Sequence, residues 1–326
     1  MSGAGRARLS GAGRADGIAV VARCLALDTL AADTCALLHA RGVDAILLKG
    51  AGLARRLGTQ RHYIDVDLLV APAKFDTAQR ILTGANYRPV LAGARPDDQL
   101  FHERAWLAPG PVPLVVDLHR GFAGVDDAER FWREVRSTAE EMPLVGRTVL
   151  VPDRTHALLL VALHAADPGK ADHPRMDLRL ALDLRTADGW PAVDDWRTVA
   201  VAAHRCGAQE AFVLGLRTTE RGRLLAAELG GLPEVYAATR WLAAQRSSAT
   251  ALSLARLTEL PSARARLRHL RLRLLPSRAA MRYFSPLARH GPAGLLMAYA
   301  VRLARHAIGL PRAVRELRAA GRASRP

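Results

Sequence analysis

The run from Tyr63 to Val70 reads YIDVDLLV, with two aspartates, Asp65 and Asp67, set into an otherwise apolar stretch. Alternate side chains of a strand share a face, so this spacing predicts both carboxylates on one side and Ile64, Val66 and Leu68 on the other. Anions crowded at a half-buried patch repel one another and lose hydration, and either a bound cation or a set of basic side chains must offset that cost. Basic candidates are near in sequence: Arg55, Arg56 and Arg61 could simply pair with the acids. For a cation, a third carboxylate is on offer at Asp117, in the strand-like PLVVDLHRG, with His119 two residues on and therefore on the same strand face. Carboxylates on rigid strands are the oxygen ligands that Mg²⁺ or Mn²⁺ takes. A pair of such ions can activate an attacking hydroxyl and neutralise the charge that builds on a phosphate.

These residues need elements to hold them. A helical pattern runs from about Gly17 to Arg41, and the apolar VDAILLK then ends at Gly50 and leads into AGLARRL, which predicts a strand, a turn and a helix. Lys49 closes that strand, placed either to meet a phosphate or to sit in solvent as a strand end. YIDVDLLV is expected as the next strand and AKFDTAQRILTGA as an amphipathic helix with Phe75, Ala78, Ile81 and Leu82 on one face. LFHERAWLA and PLVVDLHRG read as two strands joined through Pro109–Gly110–Pro111, and EMPLVGRTVLVP as a hairpin turning at Gly146. From Asp153 onward only helical periodicity remains. Within it, His164, Arg179 and Asp183 could close over a substrate, although His and Asp on packed helices more often form internal hydrogen-bonded pairs. His156, His164 and His173 lack the spacing of a helical zinc site.

The chain has 326 residues, half of them hydrophobic, enough for one large core or two modest ones. Three scattered cysteines, Cys24, Cys35 and Cys206, make no disulfide framework. The N-terminal SGAGRA repeat is low in complexity and is expected to be disordered over residues 1–16. Arg23 and Asp28 interrupt the apolar run that follows, so no export signal is read and a cytoplasmic setting is expected. LLMAYAVRLARHAIGL is broken by Arg302, Arg305 and His306 and reads as an amphipathic helix without a membrane span. The net charge of +16 is concentrated: Pro261 to Pro326 holds 15 arginines and a single acid, Glu316, leaving the first 260 residues at only +2. Basicity is thus a property of the tail, where only Tyr283, Phe284 and Tyr299 are interleaved with the arginines, too few stacking residues for a nucleic-acid partner.

The stretch LLKGAGLARRLGTQRHYIDVDLLV resembles the signature of the DNA polymerase β-like nucleotidyltransferase superfamily. It is closest to a branch of uncharacterised bacterial nucleotidyltransferases that has Leu-Lys-Gly at the turn and an Arg four residues before the first Asp. Lys49, Gly50, Arg61, Asp65 and Asp67 fall on that pattern, as do Val116 to His119, Leu163 to Asp167 and Leu178 to Leu184. The resemblance implies an α+β fold, in which a nucleotidyltransferase-like mixed β-sheet with flanking helices (residues 17–152) is followed by an all-helical domain (153–260) and a basic helical region (261–326). It implies transfer of a nucleoside monophosphate from an NTP to a hydroxyl or phosphate of a small molecule, peptide or protein, dependent on Mg²⁺ or Mn²⁺. On this reading Asp65, Asp67 and Asp117 are the catalytic, metal-holding carboxylates; Lys49, Gly50, Ala51, Arg55 and Arg61 surround the nucleotide; and His119, His164 and Arg179 are accessory. Where the wider superfamily commonly has Ser or Gly after the turn glycine, this chain has Ala51, so the phosphate grip must rest on backbone N–H groups at the helix start and on Lys49, Arg55 or Arg61. Two alternatives follow from the same residues. One is glycosyl-type transfer from a nucleotide-sugar on the same fold; the other is an inactive nucleotide-binding scaffold whose basic tail docks an acidic partner.

Overall fold

The computed structural model describes residues 11–58, 63–91, 102–122, 124–167, 173–184, 186, 188–232, 247–260 and 262–323. Helix α1 (Gly11–His39) leads into β1 (Ala45–Leu47), α2 (Ala51–Arg56), β2 (Val66–Val70), α3 (Phe75–Gly84) and β3 (Arg88–Pro89). Then come β4 (Glu103–Leu107), β5 (Val115–His119), α4 (Ala128–Ser137), β6 (Glu140–Leu144) and β7 (Arg147–Val151). The seven strands form one mixed sheet in the order β3-β4-β5-β2-β1-β7-β6. β2 runs parallel to β5 and β1 parallel to β7, whereas β1–β2, β3–β4, β4–β5 and β6–β7 are antiparallel. The fold is therefore α+β, as the sequence implies.

The period-two pattern of the central strands decides what each face of the sheet meets. Leu47, Val66, Leu68, Val70, Val116 and Leu118 belong to one core, shared with α1 and α3 through Leu27, Leu38, Phe75 and Leu82. Ile46, Leu48 and Leu69 face the other way, into a core with Phe131 and Val135 of α4 and with the helices that follow the sheet. From Arg154 onward the described residues hold helices alone: α5 (Arg154–Ala166), α6 (His173–Asp183), α7 (Val193–Arg205), α8 (Gln209–Arg217) and α9 (Glu220–Leu229). α5 is the axis of this half. It is buried on nearly every position from His156 to Ala166, and its first turn is capped by Asp153, whose Oδ1 accepts from the His156 N–H at 2.7 Å. His156 Nδ1 lies 2.8 Å from that same Asp153 oxygen and 3.0 Å from Thr138 Oγ1, a local structural cluster.

Beyond residue 246 the chain forms α10 (Ala249–Glu259), α11 (Ala263–Leu274), α12 (Arg278–Phe284) and the long α13 (Gly291–Ala323). Among the described residues no helix is long and apolar enough to cross a membrane. Two element starts differ from the sequence expectation. α1 opens at Gly11, so residues 11–16 of the stretch expected to be disordered are helical, despite the low helix propensity of Gly11, Gly13 and Gly17. β2 opens only at Val66, so Asp65 lies in the bend before the strand and not within it.

The α5–α8 crossing is close enough to demand glycine. A Cβ built on Gly215 would stand 2.0 Å from the Ala162 carbonyl oxygen, so any side chain there must push the two helices apart. Gly215→Ala is expected to lower unfolding stability by about 2 kcal/mol, with the secondary structure of the folded protein retained. Denaturant melts of the two proteins check this, and equal midpoints would contradict it.

Candidate active site

Gly50 takes φ 61°, a conformation that favours glycine, and ends the run from β1 so that the chain can turn directly into α2. The turn delivers Lys49 to the start of β2, where the Leu48 N–H donates to the Asp67 carbonyl at 3.0 Å. β2 and β5 lie side by side in parallel with Asp67 opposite Asp117 and Leu69 opposite His119. Because Leu69 faces the helical half, Asp67, Asp117 and His119 face it too, and the alternation expected of the two strands is realised as one polar patch on an otherwise apolar sheet face.

Asp67 is only 4% exposed. Lys49 Nζ and His119 Nε2 both approach its Oδ1, each at 2.9 Å. Burial pushes this carboxyl up, but the Lys49 ammonium and the His119 hydrogen bond outweigh it and hold Asp67 well below the usual carboxylate range. An ionised Asp67 can only accept, so His119 donates through Nε2. The other ring nitrogen, Nδ1, lies 3.4 Å from Glu103 Oε2 on β4, and the ring stacks on Phe122 with centroids 5.2 Å apart. The Asp67 hydrogen bond and the Phe122 stack thus fix its orientation, while Nδ1 faces Glu103 without a hydrogen bond.

Asp117 experiences the opposite balance. Its carboxyl is pushed up to about 6, first by burial and then by the charge of Asp67, with smaller contributions from Asp65 and Glu103; His119 pulls the other way. The patch holds more negative charge than Lys49 and His119 cancel at Asp117. Hard divalent cations take oxygen ligands of this kind, so the donor chemistry and the uncompensated charge at Asp117 fit such an ion. Among the described residues no three His, Cys, Asp or Glu side chains already converge on one point, and Asp67 is turned onto Lys49 instead.

Beside the patch lies a recess between the sheet and α5. Lys49, Glu103, His119 and Phe122 line its sheet side, with His102 at the edge, and Leu163, His164 and Asp167 come from the end of α5. Lys49, Asp67, Asp117, His119 and His164 are thus brought together, with Asp65 near enough to act on Asp117. Gly50 and Ala51 form the adjoining turn, and α2 has six residues with no side-chain cap. Arg55 is carried away from the patch: its Nη1 donates to the Pro143 carbonyl on β6 at 2.9 Å. Arg179 is exposed on α6, and Asp183 pairs at the surface with Arg221. Arg61 lies outside the described residues.

Glu103 is the residue that sequence reasoning passed over. The signal was available in part. In HERAWLA, Glu103 and Ala105 share one face, while Arg104 points to the other, where it bonds Gln79 of α3. The β4–β5 register sets Glu103 opposite His119 and Ala105 opposite Asp117. Without that register the acid reads as an ordinary strand-edge charge.

No curated protein matches this chain. Among solved structures it is similar to ANT(2″)-Ia, crystallised in complex with adenylyl-2″-tobramycin, at 16% identity and a TM-score of 0.37, over 55% of this chain and 97% of that one. It is similar also to an antigenic nucleotidyltransferase-like protein from Paracoccidioides brasiliensis, at 16% identity and a TM-score of 0.36, over 55% of this chain and 88% of the other. A family model described as uncharacterised nucleotidyltransferase matches residues 14–222, a span that takes in the whole sheet, the carboxylate patch and α5 to α8. The chain belongs to this uncharacterised nucleotidyltransferase family.

Proposed function

We propose that the protein transfers a nucleoside monophosphate from an NTP to a hydroxyl or phosphate of a small-molecule, peptide or protein acceptor, with Mg²⁺ or Mn²⁺ as its cofactor. The observation that carries this reading is the direct register of Asp67 and Asp117 on adjacent parallel strands, with excess negative charge left at Asp117. Asp67 and Asp117, with Asp65 at the strand entrance, are the residues that would hold the ion. When bound, it neutralises charge on the α-phosphate and the departing pyrophosphate. An acceptor hydroxyl gives its proton to solvent water as its oxygen attacks the α-phosphorus, the α–β anhydride bond breaks, and pyrophosphate leaves.

The protein's own side chains supply the rest. Lys49, released from Asp67, brings a point charge to the donor phosphates from the floor of the recess. Gly50 and Ala51 let the backbone approach that donor closely. His119 keeps Asp67 in position, and Glu103 keeps His119 in position. His164 and Asp167, at the end of α5, form the facing wall where an acceptor would enter. Arg55 and Arg179 have no part in this assignment, since one is tied to β6 and the other is exposed on α6.

Three outcomes are expected. Asp67→Asn and Asp117→Asn should each abolish the rise in melting temperature that Mg²⁺ gives the native protein. They should also cut label transfer from α-labelled NTPs to a cell extract about a hundredfold or more. Native levels of both in both variants would remove the carboxylates from the chemistry. A second outcome concerns pH. A carboxyl raised to about 6 in the fold, against an ordinary 3.8, costs no stability below the lower value, costs progressively more as pH rises between the two, and costs its full amount above the higher. In the absence of divalent ions Asp117→Asn should therefore be more stable than the native protein at neutral pH, by on the order of 2 kcal/mol, with the gap closing below about pH 4. Chemical denaturation across that range checks the sign. Third, Glu103→Gln, which keeps the shape but not the charge facing His119, should lower kcat about tenfold with little change in the NTP KM, and Glu103→Ala should lower it further. Equal kcat in all three proteins would make Glu103 a bystander.

A further inference from the structure

The outward face of α13 has no partner among the described residues. At about 100° per residue, Leu295, Ala298, Arg302, His306 and Ala313 fall on one side of this helix and pack inward. Leu296, Met297, Val301, Leu303, Ile308 and Leu310 fall on the opposite side and are exposed, Leu296 to 71% and Ile308 to 80%. Between Gly291 and Pro311 the exposed positions carry one charge, Arg305. A face this apolar, several turns long and left to water, exceeds what scattered surface leucines explain.

What surrounds the face identifies its occupant. Fifteen arginines stand against one acid in this part of the chain. That acid, Glu316, is already engaged: Oε2 accepts from the Ser248 backbone N–H and hydroxyl at 2.9 and 2.8 Å, and Oε1 accepts from Arg312 Nε at 2.8 Å. A second copy of the chain would bring a second set of like charges against the first. A surface combining hydrocarbon with negative phosphate matches both features at once, since apolar side chains enter the acyl boundary while arginines meet the headgroups. We propose that α13 lies in the interface of an anionic lipid membrane, its Leu296–Ile308 face immersed and the arginines of α11 to α13 on the lipid phosphates. Exposed Leu267 and Leu270 on α11, and exposed Tyr283 and Phe284 on α12, are of the kinds found at such an interface. This inference does not depend on the chemistry assigned to the carboxylate patch.

The test is flotation of the full-length protein with vesicles of phosphatidylcholine alone, or with roughly one-third phosphatidylglycerol. Binding is expected only to the mixed vesicles and weakened by high salt, because exposed charges are screened beyond about 8 Å at physiological ionic strength. Leu296→Glu with Ile308→Glu touches no core and should reduce partition about tenfold or more with an unchanged melting temperature. Should that variant misfold, Leu296→Ser with Ile308→Ser gives the same comparison without added charge. Absence of flotation with mixed vesicles would overturn the proposal. So would undiminished flotation of the folded variants, or a native dimer in light scattering that the substitutions dissociate, which would assign the face to a second copy.

Discussion

The structure turns on one buried charge. Asp67 sits at the centre of a seven-stranded sheet, almost out of water, where an uncompensated carboxylate would cost several kcal/mol. Lys49 and His119 make it tolerable, and each has to be delivered by a separate element: Lys49 by the turn after β1, His119 by the parallel pairing of β5 with β2. Any slip of that pairing by one residue would send Asp117 and His119 to the opposite face, beside Val66 and Leu68, and would bring Val116 and Leu118 to the patch. The electrostatics of the patch and the register of the sheet therefore specify each other.

The same logic extends outward. His119 must hold still to serve Asp67, and Phe122 stacks on it while Glu103 stands beside its other ring nitrogen. Phe122 packs in turn against Phe131 of α4, with centroids 5.8 Å apart, and Phe131 belongs to the core built around α5. A chain of contacts thus runs from the carboxylate patch into the helical half, and the end of α5 returns to line the recess. The helices after residue 153 cover the face of the sheet that bears Asp67 and Asp117 and also form one wall of its recess.

Much of this was legible in the sequence, for reasons that differ by element. Period-two alternation located the strands bearing Asp67 and Asp117 and put His119 on the face of Asp117, because half-buried strands announce themselves residue by residue; that Asp67 and Asp117 share a face came only from the pairing of β2 with β5. The positive-φ turn at Gly50 was visible as Lys-Gly between a strand and a helix. What stayed hidden depended on relations between elements. Glu103 became meaningful only through its register with His119. Arg55 was near the turn in sequence, yet its side chain leaves α2 toward β6. On α6, Arg179 drew attention as part of a motif, whereas Asp177, two residues earlier and so nearly opposite on the helix, is the buried one at 3% exposure. The basic tail was evident from composition, but the uncharged outward face of α13 depends on knowing which side of the helix the neighbouring helices cover.

The seams of the C-terminal helices are made largely of alanine. α10 meets α13 through Ala251, Ala255 and Ala313, and the next contact uses Met281, Ala288, Leu295 and Ala298. Alanine lets helices come close but removes little apolar area from water, so such seams contribute far less free energy than the leucine- and phenylalanine-filled core around α5. Stability is consequently graded along the chain. Smaller seams open at lower free-energy cost, so the backbone amides of α10 to α13 should exchange with solvent sooner than those of α5 and the central strands.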